Sequence, residues 1–189
     1  MRRAAILALA AVAITGCGTS TGPRARPAGA PLTENVHPEI SASARAVDLR
    51  RALPLVTGVS ARALGYRVVL APRIDPGLRA LTDTVAHTIT LYMAQGDAAH
   101  RVAHDLAHEL GHAWDAEHMT PATRHAYLAG RGVPRATWWP TQPGRSDYGV
   151  GAGDFAEVFA LCHAASPDYR SHLAPRPIDP CAVLPQGAR

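Results

Sequence analysis

The chain has no lysine, no acidic residue ahead of Glu34 and only three cysteines among its 189 residues. All 19 basic side chains are therefore arginine, and four of them, Arg2, Arg3, Arg24 and Arg26, precede the first acid. The remaining 15 arginines face 15 Asp and Glu, so the formal charge of +4 resides in the N-terminal segment. A body of balanced charge lacks the clustered positive surplus that phosphate contacts require, which argues against nucleic acid as a partner. A long hydrophobic run is also missing. Ala4–Ile14 is apolar but falls short of the roughly 20 residues that cross a bilayer. Internal repeats are absent as well. With 47% hydrophobic and 18% charged residues the chain has the material for one globular core, and too little length for two sizeable domains.

What is present begins with Arg2 and Arg3, the apolar run, and then Thr15, Gly16 and Cys17. That order is the order of a secretory signal peptide: a charged start, an apolar middle and small residues at the cut. Ile14-Thr15-Gly16-Cys17 also resembles the bacterial lipobox, in which the Cys becomes the lipidated first residue of the mature protein; the alternative is an ordinary signal peptide with a Cys at its junction. The resemblance implies that residues 1–16 are removed and that acyl chains on Cys17 hold an extracytoplasmic protein to a membrane, since stable anchoring takes more than one chain. Residues 17–33, rich in Gly, Pro, Ser and Thr, read as a flexible tether, and 34–189 as the folded domain. With Cys17 used for the anchor, Cys162 and Cys181 are left, and two leftover thiols in an exported chain most simply form a disulfide. Metal ligation by Cys162 with His163 is the competing use.

Within the domain, Ser41–Leu53 has helical spacing and is stopped by Pro54. Tyr66–Leu70 and Thr84–Met93 are rich in β-branched and aromatic residues and read as strands. Asp97, placed as an N-cap, opens a long helix that should stop near Met119, where Thr120 and Pro121 begin another that ends around Gly130 to Gly132. Residues 133–153 read as a loop, Asp154–Ala165 as a last substantial helix, and the rest as a Pro-rich tail. The expected class is α+β.

Five of the ten histidines fall between His100 and His118, and His100, His104, His108 and His112 are spaced by four. On a helix that spacing stacks side chains along one slowly drifting face. The stripe contains His108-Glu109-Leu110-Gly111-His112, the HExxH arrangement. Two imidazoles one turn apart can bind a single Zn²⁺, while the carboxylate beside the first can take a proton from water at the metal. Leu106, Leu110 and Trp114 give the same helix an apolar side. His100 and His104 read as solvated residues or as supports behind the ligands, and His37, His87, His125 and His172 as surface or structural residues.

A strand, an HExxH helix and a downstream acidic helix together resemble the zincin metallopeptidases. The resemblance implies that the strand before the helix is an edge strand pairing with an extended peptide substrate, a place residues 84–93 would fill. It also implies a third protein ligand, because a catalytic zinc keeps three plus water. Tyr148-Gly149 followed by Phe155-Ala156-Glu157-Val158-Phe159 resembles the lethal-factor-like gluzincins, in which a ligating Glu precedes two aromatics and a second Glu supports the site. Aligned without a gap, the ligand position falls on Gly153, which cannot ligate, and the supporting position on Glu157. Either Asp154 takes over or Glu157 itself binds zinc. His118 stands where the metzincin pattern puts its third His, but Asp115 occupies the place of the Gly needed for the return turn. An exposed helix end is the preferable account of His118.

The gluzincin resemblance also implies that Tyr148 stands near the metal and donates a hydrogen bond to a developing oxyanion, with packing on Trp138 or Trp139 as the alternative. Trp138 and Trp139 read as core residues or as the lining of a cleft, the core being favoured. The expectation is a monomeric, membrane-anchored zinc metallopeptidase with a peptide or protein substrate, zinc on His108, His112 and an acid of the 154–157 helix, and Glu109 as general base. The alternatives are a zinc-binding surface lipoprotein and a degenerate zincin serving as a binding module.

Overall fold

Two runs of β-branched residues and one amphipathic stretch of 20 residues organise the fold. The computed structural model describes residues 42–141, 146–164 and 166–189, within the unit His37–Arg189. The anticipated signal peptide, Cys17, the tether and His37 lie outside the described residues. Among those described, no helix is long and apolar enough to cross a membrane.

In chain order the elements are α1 (Ala42–Ala52), a 3₁₀ turn (Leu53–Leu55), β1 (Arg67–Pro72), β2 (Ala80–Asp83), β3 (Thr88–Met93), α2 (Ala99–His118), α3 (Pro121–Gly130), α4 (Gly151–His163) and the short α5 (Pro180–Val183). The class is α+β, with a three-stranded mixed sheet in the order β1-β3-β2. β1 runs parallel and β2 antiparallel to β3, which buries Ile89, Leu91 and Met93.

Three expectations are corrected here. The stretch 84–93 is not an edge strand: Thr84–His87 is a turn, Asp83 accepting hydrogen bonds from the amides of Val85 and Ala86, and β3 is the central strand. The edge beside α2 belongs to β2, a strand too short to stand out by alternation. Asp97 is not the cap of α2, whose N-cap is Ala98; its carboxylate accepts from the Ala94 amide and the Arg73 guanidinium instead. The last helix starts at Gly151, three residues ahead of the expected Asp154. The Thr120 cap is as expected, its hydroxyl accepting from the Thr123 amide, with Pro121 in the first turn.

α2 lies against the sheet on one side and α4 on the other. Leu106, Leu110, Phe155 and Phe159, all 2% exposed or less, fill the core, and truncating such an aromatic to Ala costs about 3–5 kcal/mol. The Gly of the HELGH run sets how close the two helices come: a Cβ at Gly111 would stand 2.9 Å from the Ala156 Cα. Cys162 and Cys181 are disulfide-bonded and pin the tail to α4. With Cys162 in that bond, the pair Cys162–His163 is not available as metal ligands, and the ring nitrogens of His163 face the carbonyl oxygens of Thr57 and Ala188.

Candidate metal centre

The four-residue spacing on α2 puts the rings of His108 and His112 side by side, with their Nε2 atoms 3.2 Å apart. A third donor reaches them from the loop before α4. The Asp147 Oδ2 lies 2.8 Å from His112 Nε2 and 3.6 Å from His108 Nε2. A tetrahedral cation with bonds of about 2.0–2.1 Å sets its donors roughly 3.3 Å apart, so the three separations bracket that edge. Among the described residues this trio is the group of His, Cys, Asp or Glu whose donor atoms converge as a metal site would require.

The groups behind the imidazoles fit the same reading. Glu157 is fully buried, and its Oε1 accepts from His108 Nδ1 at 2.9 Å and lies 3.2 Å from His104 Nε2. A proton on His108 Nδ1 leaves the Nε2 lone pair aimed at the trio, and a carboxylate behind an imidazole holds its orientation and raises its basicity. The second Glu157 oxygen accepts from the Arg170 amide at 2.6 Å. Burial alone would raise the Glu157 carboxyl, but hydrogen bonds from His104 and His108 and their charges hold it far below the usual carboxylate range. Asp147 is shifted down in the same sense: burial opposes ionisation and is outweighed by His108 and His112. For His108, burial disfavours the cation, while Asp147, Glu157 and Glu109 raise its proton affinity well above the ordinary value. Three anions around two imidazoles make a setting that favours positive charge, and a divalent cation supplies it without protons.

The loop residue reaches the trio because position 153 is glycine. A Cβ there would stand 2.2 Å from the Asp147 carbonyl oxygen and 2.9 Å from its carboxyl carbon. The space that a ligating side chain on α4 would need is filled by Asp147. The loop is pinned by backbone bonds from the Val150 amide to Asp147 O (2.9 Å) and from the His172 amide to Tyr148 O (2.7 Å).

Neither acid expected to complete the site joins the trio. The oxygens of Asp154 are taken by Tyr127, Arg131, Tyr169 and Ser171, at distances from 2.6 to 3.2 Å, which ties α3 and the tail to the first turn of α4. Glu157 stands behind His108, in the supporting position. His118 is an exposed α2 residue resting on Trp114, and Asp115 stays helical, bound to Arg124 and to the Trp138 indole. His104 is buried behind the site and His100 is exposed.

Glu109 points to the edge strand: its Oε2 accepts from the Thr82 hydroxyl at 2.8 Å, and the same hydroxyl lies 3.0 Å from the Glu109 carbonyl oxygen. Tyr148 stacks edge-on against His108, with ring centroids 5.6 Å apart, and its oxygen accepts from Arg170 Nη1 at 3.3 Å. The tryptophans divide their duties. Trp138 packs over Gly151 in the core, whereas Trp139, 47% exposed, lies flat beside the His112 ring at 6.4 Å.

Asp147, Thr82 and Arg170 are absent from the sequence expectations. Asp147 directly precedes Tyr148-Gly149, the motif on which the gluzincin resemblance rests, and it is the nearest acid on the N-terminal side of Gly153; that adjacency was the available signal. Thr82 and Arg170 carry no local signature. Neither a protein-family model, nor a curated protein, nor a solved structure matches this chain.

Proposed function

We propose that the protein is a zinc-dependent metallopeptidase of minimal zincin-like architecture, with His108, His112 and Asp147 as the metal ligands. One observation carries the reading: the convergence of three N/O donors at 2.8 to 3.6 Å, on an HExxH helix whose first imidazole is backed by a buried carboxylate. Asp147 takes the place that the sequence expectation gives to Asp154 or Glu157. Nitrogen and carboxylate donors in this number suit zinc, which when bound supplies Lewis acidity toward a carbonyl and lowers the pKa of water.

The residues of the chain divide the remaining work. Glu109 is the proton acceptor and later donor, and the Thr82 hydroxyl fixes the direction of its carboxylate. Because Arg170 donates to the Tyr148 oxygen, the phenolic proton is free to point at a developing oxyanion. β2 offers the substrate a backbone edge. The Tyr92 amide donates to Arg79 O at 2.8 Å, and the alternation of an antiparallel pair then turns the peptide groups of Ala80 and Thr82 away from β3. An extended peptide added there would pass the Glu109 carboxylate. On the lipobox resemblance, we propose that this activity lies outside the cytoplasm, on a lipid anchor at Cys17.

The Glu109→Gln variant tests the chemistry. It should retain one zinc per chain and lose chelator-sensitive peptide hydrolysis by about 10²–10⁴-fold. Zinc retention with unchanged hydrolysis would remove Glu109 from the reaction, and more than one zinc per chain would favour a metal-carrying lipoprotein.

A further inference from the structure

A cavity of about 320 Å³ is lined by Arg79, Arg101, Asp168, Tyr169 and Arg170. Three guanidinium groups around one opening is an unusual density of positive charge, and the carboxylates that pair with them do not balance it. Asp105 is shared between Arg79 and Arg170, at 2.7 and 3.0 Å. Asp168 stands 3.5 Å from Arg170 and 3.8 Å from Arg101, too far for a well-made charge-assisted bond. Asp97 is engaged mainly by Arg73, with Arg79 at 3.6 Å. With Asp97 taken by Arg73, the three arginines of the cavity share Asp105 and Asp168, and the least engaged of the three, Arg101, is 52% exposed there.

The cavity is joined to the candidate metal centre along two lines. Arg170 links its wall to the centre directly, donating to the Tyr148 oxygen from the guanidinium and to Glu157 from the amide. The second line is β2. Arg79 immediately precedes this strand, and Arg101, Asp105 and Glu109 follow one face of α2 at four-residue spacing, with Arg79 on Asp105 and Thr82 on Glu109. Going from Glu109 back to Arg101 covers roughly 12 Å of helix axis at 1.5 Å per residue. An extended chain needs about three to four residues for that distance, at about 3.3 Å each.

We infer that this arginine-lined cavity is a carboxylate-binding subsite for the peptide that lies along β2. It receives either an acidic side chain or the C-terminal carboxylate of the substrate, about three to four residues from the bond that is cut. The inference rests on the peptidase reading for its geometry. Arg101 acts here as a specificity determinant that has no part in the chemistry.

The test uses zinc-loaded, full-length Glu109→Gln protein, so that peptides remain intact, and fluorescence anisotropy of labelled alanine-rich peptides in matched pairs. One pair differs as Glu against Gln at an internal position; the other differs as free C-terminal acid against amide. The acidic member of at least one pair should bind about tenfold tighter at low salt. Adding Arg101→Gln should abolish that preference and leave zinc content and binding of the neutral member unchanged. Which pair shows the preference tells whether the subsite reads a side chain or a chain end. Equal binding within both pairs, or a preference that survives Arg101→Gln, overturns the inference. Chelator-sensitive cleavage of the neutral peptides by wild-type protein is followed in parallel. Cleavage with equal binding removes only the subsite. An Arg101-dependent preference without any cleavage removes the peptidase and leaves an anion site, and the absence of both removes both.

Discussion

Asp147 and Asp154 flank Gly153 and do opposite things with the same functional group. Asp154 is fully buried and surrounded by the donors of Tyr127, Arg131, Tyr169 and Ser171. Asp147 is 24% exposed and meets the acceptor-capable nitrogens of two imidazoles. The first carboxylate has every lone pair matched to a donor of this chain, so it anchors. The second faces atoms that can serve it as donors only when they hold protons, so it is poised to share a cation with them. A buried acid is a structural element when its own fold saturates it, and a candidate ligand when saturation requires something from outside.

That contrast can be broken in the order of the expected effects. Asp154→Ala should be the most damaging change, because it strands the Arg131 guanidinium among buried groups; losing one member of a buried pair costs about 3–5 kcal/mol, read as a fall in thermal or urea stability. Asp147→Ala should cost the chelated protein less, because this carboxylate is 24% exposed and its loss frees only its contacts with His108 and His112, and it should abolish stoichiometric zinc binding, measured by equilibrium dialysis. If the two variants exchanged these outcomes, the assignment of roles would be reversed.

Gly153→Ala sharpens the comparison at the residue between them. The added methyl collides with the Asp147 backbone, and overpacking of this kind costs about 1–3 kcal/mol. Because the loop must give way before the helix does, the loss should appear chiefly as weaker zinc affinity in a competition titration, with Asp154 still holding the first turn of α4.

The smallest effect is in pH. Burial opposes ionisation of Asp154, but the hydrogen bonds from Arg131, Ser171 and Tyr127 outweigh it and depress the carboxyl below its ordinary value. A group depressed in the folded state contributes stability that is complete above its unfolded pKa, near 3.9, and is lost as pH falls through the folded value. In urea titrations of chelated protein the gap between wild type and Asp154→Ala should therefore be constant above about pH 5 and narrow below about pH 4. A gap that widens on acidification would contradict the direction of the shift.

How much was legible in advance follows how local each feature is. The course of α2, the Thr120 cap and the Cys162–Cys181 bond can be read from spacing, capping chemistry and counting. The sequence leaves Glu157 open as a support or as a ligand, because periodicity puts a side chain on a face and says nothing of what stands opposite; in the fold its carboxylate meets His104 and His108. β2 has no signature in the sequence because four residues are too few to establish alternation against the turn that follows.

The chain's own order of residues determined that two imidazoles and a carboxylate would share one stretch of helix, since 3.6 residues per turn leaves no other outcome for that spacing once the helix forms. Only the folded arrangement decided which acid would face those imidazoles, that Thr82 would steer Glu109, and that Arg170 would stand between Tyr148 and a cluster of arginines. Those partners are separated by tens of residues along the chain, and their meeting depends on how closely α4 settles on α2 at Gly111 and on the room left at Gly153. Such approach is a property of packing, and no local pattern encodes it.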